Sequence, residues 1–395
     1  MRRLSLLLLC LSLTGCAAVE GVSETFSGIS DYFSGGADNT DPPKALIDYT
    51  SELKIEVLWK ESVGVGSAEQ SLNLVAAIGN GKILAADRKG LVKALDLKTG
   101  NRLWEKDTEM AFSGGPGIGD GTVVLGSSDA EVIALNVDTG EQLWRTKVSS
   151  EVLSVPVIAN GVVVVRTGDG AVNGLNEKTG AKLWSYEISV PALSIRGTGT
   201  PVIVDGNVIG GYDNGKLAAL RLNDGKFAWE TNVAMPKGRS EVERLVDLDV
   251  DPIEAAGVIY TASFQGGVSA VSAIDGEILW RNENISSHTG LSNDWRYLYL
   301  SDSDSDLWQL DQRTGSSLWK QQDLHQRNLS APAAYDNYVV VGDFEGYVHW
   351  LNTTDGRQMA RVQISSSPIE TKPIVVENTV YVYTKDGTIA ALTVH

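Results

Sequence analysis

One phrase recurs along this chain and leaves few folds open. It consists of an aliphatic strand, a Thr-Gly or Asp-Gly pair, and a tryptophan four residues after the glycine. It stands at Thr99-Gly100…Trp104, Thr139-Gly140…Trp144, Thr179-Gly180…Trp184, Asp224-Gly225…Trp229, Asp275-Gly276…Trp280 and Thr314-Gly315…Trp319. A seventh copy, Asp355-Gly356…Ala360, has lost the aromatic, and an eighth tryptophan, Trp59, stands upstream without its turn. From Trp59 to Ala360 the spacings are 45, 40, 40, 45, 51, 39 and 41 residues. That is the length of one four-stranded propeller blade.

A single unit shows why strands rather than helices fill the repeat. Ser154–Ile158 reads as a first strand, Asn160-Gly161 as a turn, and Val162–Arg166 as a near-continuous apolar run suited to a strand covered on both faces. Gly168-Asp169-Gly170 and Thr179-Gly180 then turn the chain twice more, glycine supplying the positive φ of tight hairpins. After Ala360 only three strands remain, Pro373–Val376, Val380–Thr384 and Ile389–Val394, while Lys54–Lys60 is an orphan outer strand carrying Trp59. The expected fold is therefore all-β: an eight-bladed propeller of four-stranded antiparallel blades over residues 51–395. The first and last strands share a blade and leave no open sheet edge.

The first fifty residues read differently. Arg2 and Arg3 precede a short apolar run ending in Leu13-Thr14-Gly15-Cys16. This is the layout of a secretory signal, too short to span a bilayer as a helix. It resembles the bacterial lipobox, which implies removal of residues 1–15 and lipidation of Cys16, with several acyl chains giving stable anchorage. Ala17 in place of aspartate points to the outer membrane. Residues 16–50, rich in Gly, Ser, Asp and Thr, read as a flexible tether. The chain's two cysteines, Cys10 and Cys16, are both consumed at this end, so no disulfide is expected in an oxidising compartment. A net charge of −17 disfavours nucleic acid, whose binding rests on cationic contacts with phosphate.

Several constellations resemble chemical motifs and fail on spacing. Asp302-Ser303-Asp304-Ser305-Asp306 opens like a calcium loop, but Leu307 and Arg313 stand where Gly and Glu are needed, so a polar hairpin turn is expected. Asp247-Leu248-Asp249-Val250-Asp251 fails at Pro252. Gly114-Gly115-Pro116-Gly117-Ile118-Gly119 is followed by a strand rather than a helix, which favours a turn over a dinucleotide site. His288, His325, His349 and His395 are isolated and show no metal-ligand spacing, and no nucleophile elbow is visible. No catalytic residue, metal or cofactor is assigned.

Connections between blades offer the one local asymmetry. From each outer-strand Trp to the Pro opening the next blade the distance is 12 residues for Trp104 and Trp144, and 13 for Trp319. It rises to 17 after Trp184 and 23 after Trp229. Residues 189–200 and 231–251 are thus expected side by side on one rim, where function concentrates in loops on a rigid scaffold. Leu193 and Ile195 alternate with Ser194, Arg196 follows, and Asp247 and Asp249 flank Leu248. An apolar pair bordered by an arginine and carboxylates suits a small protein-docking hot spot.

The phrase Ala94-Leu95-Asp96…Thr99-Gly100…Leu103-Trp104 resembles the repeat of quinoprotein-type propellers over residues 54–395. With its lipobox and single-domain length, the chain is most similar to the propeller lipoproteins of the outer-membrane β-barrel assembly machinery. Leu193–Gly197, Glu241–Asp249 and Gly346–Trp350 sharpen that likeness. The resemblance implies a non-catalytic, lipid-anchored periplasmic scaffold that helps barrel proteins fold and insert. It also implies that Leu193, Ile195, Arg196, Asp247 and Asp249 dock the periplasmic POTRA domains of the barrel insertase. Unfolded outer-membrane proteins are a further expected partner, adding to an edge at the Trp-less strand near Ala360. The rival readings are a quinone-dependent dehydrogenase, which the missing cysteine pair and short length disfavour, and a propeller binding another periplasmic ligand.

Overall fold

The computed structural model describes residues 41–68, 70–188, 199–235 and 246–395, and the chain divides into two units, Met1–Pro42 and Pro43–His395. Cys16, Leu193, Ile195 and Arg196 lie outside the described residues. Eight four-stranded antiparallel blades make an eight-bladed β-propeller, and no α-helix occurs among the described residues. The second strand of each blade is the apolar one. Val162–Arg166, for example, is buried along its whole length between Val157–Ala159 and Ala171–Asn176.

Outer strands alternate instead, and a bulge sets their phase. In all eight blades the pairing of third and fourth strands skips one residue immediately before the repeat position, as between Gly174↔Trp184 and Leu175↔Lys182. A bulge of this kind re-aims the side chains around it. It turns the tryptophan inward and the preceding leucine outward, which is why Leu58, Leu103, Leu143, Leu183, Leu279 and Leu318 are exposed.

Each tryptophan seals the joint to the following blade. Trp59, Trp104, Trp144, Trp184, Trp229, Trp280 and Trp319 lie over Gly100, Gly140, Gly180, Gly225, Gly276, Gly315 and Gly356, so closely that an added Cβ would sit 2.5–2.8 Å from the ring. Every one of these glycines has positive φ, between 66 and 77°. Each indole Nε1–H also donates to a carbonyl of the next blade's turn, at 2.6–3.2 Å. One residue type thus satisfies a steric slot and a hydrogen-bond acceptor at seven joints.

The eighth joint explains Ala360. Ile55–Ser62 pairs with Thr388–Val394, from Ile55↔Val394 to Ser62↔Thr388, completing the last blade as expected. The turn that would receive a tryptophan from blade seven is therefore replaced by the two chain ends. With no turn glycine to cover, an indole there has no seat. Ala360 packs instead with Trp350, Leu53 and Ile55.

Three expectations need correction. The blade-seven edge at Ala360 is not open to an added strand, because the chain covers it itself. Glu52 N–H donates to Met359 O (2.9 Å), Arg361 donates to Ile47 O (2.7 Å) and stacks on Tyr49, and Arg357 pairs with Glu52. Residues 44–50, read as tether, belong to the body: Lys44 bonds to His325 O and Gln322 O, and buried Arg327 donates to Lys44 O. The third correction concerns the glycine-dense run, which is a strand, Phe112–Gly119, and not a turn. A Cβ on Gly114 or Gly117 would fall 2.4 Å from Ser154 O or 1.8 Å from Pro156 O, so glycine there permits close approach between adjacent innermost segments. Asp302–Asp306 is a turn, with Asp302 Oδ1 accepting from the amides of Asp304 and Asp306.

A candidate partner-docking rim

Outer-to-inner connections all emerge on one rim, and there the long ones meet. Gly199, at the described end of the first long connection, sits so close to the second that a Cβ would lie 2.8 Å from Val250 O and 2.9 Å from Asp249 O. Thr200 N–H donates to Asp251 Oδ1 at 2.5 Å. The side-by-side placement expected for residues 189–200 and 231–251 holds at these described ends.

A third long connection has no counterpart in the Trp-to-Pro spacing. Residues 63–76, between Ser62 and Ala77, equal in length the stretch 188–201 between Glu187 and Val202. No proline opens blade one, so the marker was missing. This segment folds inward: Asn73–Leu74 pairs in parallel with Gly114–Gly115 as a fifth strand on blade two. It then shares the wall of a cavity of about 440 Å³ with Asp249, Asp251, His288 and Lys372 at the mouth of the axis.

The two aspartates occupy different environments. Asp247 is 2 % exposed and interacts with neighbouring groups, so it lies beneath the surface of the loop. Asp249 borders the cavity with Oδ2 lacking a hydrogen bond. Burial, then the neighbouring charges of Asp213 and Asp247, push its carboxyl up to about 7, against the pull of Arg166. Arg166 was not singled out from sequence, although a cation closing a four-valine strand was a visible signal. It is buried, stacks 4.7 Å from the Tyr212 ring centroid, and donates to Gly199 O at 2.6 Å. It thereby ties blade three to the first long connection beside the carboxylates of the second.

The cavity does not suit a quinone cofactor bearing several carboxylates. Its described cations are Lys372 and Lys385; Lys372 donates to Leu291 O at 2.8 Å, and Lys385 pairs with Glu370 at 2.8 Å. Asp249, Asp251 and Glu370 leave the wall acidic. Burial holds the Lys372 ammonium below its usual range, weakening it further as an anion ligand.

A family model described as outer membrane protein assembly factor BamB matches residues 88–321 and 318–395. Proteins of that name are similar across most of the chain. The one from Alkalilimnicola ehrlichii is 51% identical over 88% of this chain and 90% of its own length. The one from Pseudomonas aeruginosa is 46% identical over 89% and 93%, and that of Escherichia coli K12 36% over 85% and 88%. Among solved structures, BamB from Moraxella catarrhalis superimposes with a TM-score of 0.78 at 28% identity, covering 86% of this chain and all of that one. Quinohemoprotein alcohol dehydrogenase from Comamonas testosteroni, at 13% identity and a TM-score of 0.66 over 86% of this chain and 76% of that one, shares the fold alone.

Proposed function

Because the chain belongs to the family of the outer membrane protein assembly factor BamB, we propose that it is a non-catalytic scaffold docking the periplasmic POTRA domains of a BamA-type barrel insertase. The observation that carries this reading is the meeting of two consecutive long connections on one rim, at Gly199 against Asp249–Val250. Leu193, Ile195 and Arg196 supply the contact from the first connection. Asp249 borders it from the second, and buried Asp247 positions that loop from beneath. Lipid on Cys16 holds the protein at the outer membrane with the propeller in the periplasm. Unfolded barrel proteins pass to the insertase and do not pair with the covered blade-seven edge.

The test is co-purification of the insertase from solubilised membranes with Leu193→Glu/Arg196→Ala. A hot-spot pair at the centre of an interface costs several kcal/mol on removal, so recovery should fall at least tenfold while the melting temperature stays unchanged. Full recovery with a correctly folded variant would move the docking site elsewhere.

A further inference from the structure

The opposite face carries a second, independent feature. In seven blades the turn joining the first two strands begins with a left-handed residue: Asn80, Asp120, Asn160, Asp205, Ala256, Asp336 and Glu377 have φ of 47–52°. Blade six alone departs. Its tip is Trp295-Arg296, neither residue has positive φ, and the turn is held by Asp294 Oδ1, which accepts from the amides of Arg296 (2.7 Å) and Tyr297 (2.6 Å). The sequence thus exchanges the usual turn for one that presents an indole and a guanidinium. Trp295 is 86 % exposed, the highest value for a large apolar side chain among the described residues.

The tip is fixed in place. Gln312, in the neighbouring turn of the same blade, donates to Asp294 O (2.7 Å) and Tyr297 O (3.1 Å), and its amide donates to Arg296 O (3.1 Å). Gln312 O in turn accepts from Trp280 of blade five. Trp295, Arg296 and Arg313 therefore stand on one braced platform around a recess of about 400 Å³. Of the nearby carboxylates, Asp294 Oδ2 accepts from Tyr299 and Asp311 Oδ1 from the amides of Arg313 and Thr314, while Asp311 also lines the recess within electrostatic reach of Arg313. Both guanidinium groups are exposed, and neither has an ion pair or hydrogen bond among the described residues. Arg296 rests only near the Tyr297 and Trp295 rings.

The geometry points to a docking site for a carboxylate-bearing segment of a partner polypeptide. Two exposed guanidinium forks without a hydrogen bond among the described residues match carboxylates, and the flat indole offers contact area at low entropic cost. Charge complementarity selects the occupant: on a chain of net charge −17, an acidic segment is repelled broadly and finds local cations here. An anionic bilayer presents its charge over a wide surface, which the net charge of −17 repels, whereas a single segment meets only the local cations. The inference does not rest on the insertase-docking reading, which concerns that other rim.

The experiment is fluorescence anisotropy with the full chain and a fluorescein-labelled peptide, (Gly-Glu-Phe-Glu)₂, against its Glu-to-Gln counterpart. Binding of the acidic peptide is expected, weakened at least fivefold by Trp295→Ala, by Arg296→Gln/Arg313→Gln, and by the Gln peptide, with melting temperatures unchanged. Equal affinity across these variants and peptides overturns the site, as does loss of binding in Leu193→Glu/Arg196→Ala. Trp295-dependent co-sedimentation with vesicles of 30% phosphatidylglycerol, without peptide binding, would overturn it in favour of lipid.

Discussion

The joint between blades three and four can be dissected with two substitutions. Trp184 is caught between two glycines: a Cβ on Gly174 of its own blade would reach 2.1 Å from the ring, and one on Gly225 of the next blade 2.5 Å. Its Nε1–H donates to Leu222 O at 2.8 Å. Trp184→Ala removes a buried indole and orphans that carbonyl, at a cost of about 3–5 kcal/mol. Gly225→Ala carries two penalties. Left-handed φ costs a Cβ-bearing residue about 1–2 kcal/mol, and forcing a methyl into the ring about 1–3 kcal/mol more. Only the first persists once the ring is gone. The double variant should therefore be more stable than the sum of the singles predicts by about 1–3 kcal/mol. Urea denaturation of the four proteins, followed by far-ultraviolet circular dichroism, measures this coupling directly. Additivity within about 0.5 kcal/mol would mean that the indole does not press on Gly225 and would refute the seam described here.

Two further outcomes follow from buried charge. Asp249 has a folded-state carboxyl at about 7, above its ordinary 3.8, so the stability it contributes is complete below pH 4 and is lost as pH rises through 7. Asp249→Asn should match the parent at pH 4 and exceed it by on the order of 2–4 kcal/mol at pH 8 in urea melts; equal differences at both pH values would sink the assignment. Arg327 donates twice to buried Asp343, which also bonds His349 Nε2 at 3.0 Å. Arg327→Met should cost about 3–5 kcal/mol at pH 8 by stranding that carboxylate, and adding Asp343→Asn should recover part of the loss; no recovery would separate the two groups energetically.

How much of this was legible in sequence depended on whether the cause was local. The Thr-Gly…Trp phrase encodes within six residues a turn and the tryptophan that seals the following blade's turn, so blade number, the inward tryptophans and the shared last blade could be read directly. Ala360 was read as a defect, because its reason lies in the absence of a turn more than thirty residues away and at the other end of the chain. The glycine run at 114–119 was misread as a turn, since close approach between inner strands leaves no mark beyond small size. Residues 44–50 looked like tether from composition, yet Arg327, Arg357 and Arg361 hold their end of the body, a long-range pairing that no local pattern announces. Connection 63–76 escaped notice for want of a proline. Asp247 and Asp249 appeared equivalent by alternation, and only the packing of blades three to five distinguishes a buried carboxylate from one at the cavity edge.

Sharing one blade between the two chain ends also sets a timetable for folding. Ile55–Ser62 is among the first strands synthesised, but its partner, Thr388–Val394, is the last. Until that segment exists, an early strand waits with its backbone donors and acceptors unpaired, and no earlier blade can supply its register. Closure over so long a loop is slow to nucleate, and unpaired edges in slow-folding intermediates are where chains misassociate. The seven tryptophan latches can engage one after another as blades emerge, whereas ring closure is a single late event. A nascent molecule of this kind is therefore most vulnerable just before Thr388–Val394 arrives, and any loss of that strand leaves Ile55–Ser62 stranded with it.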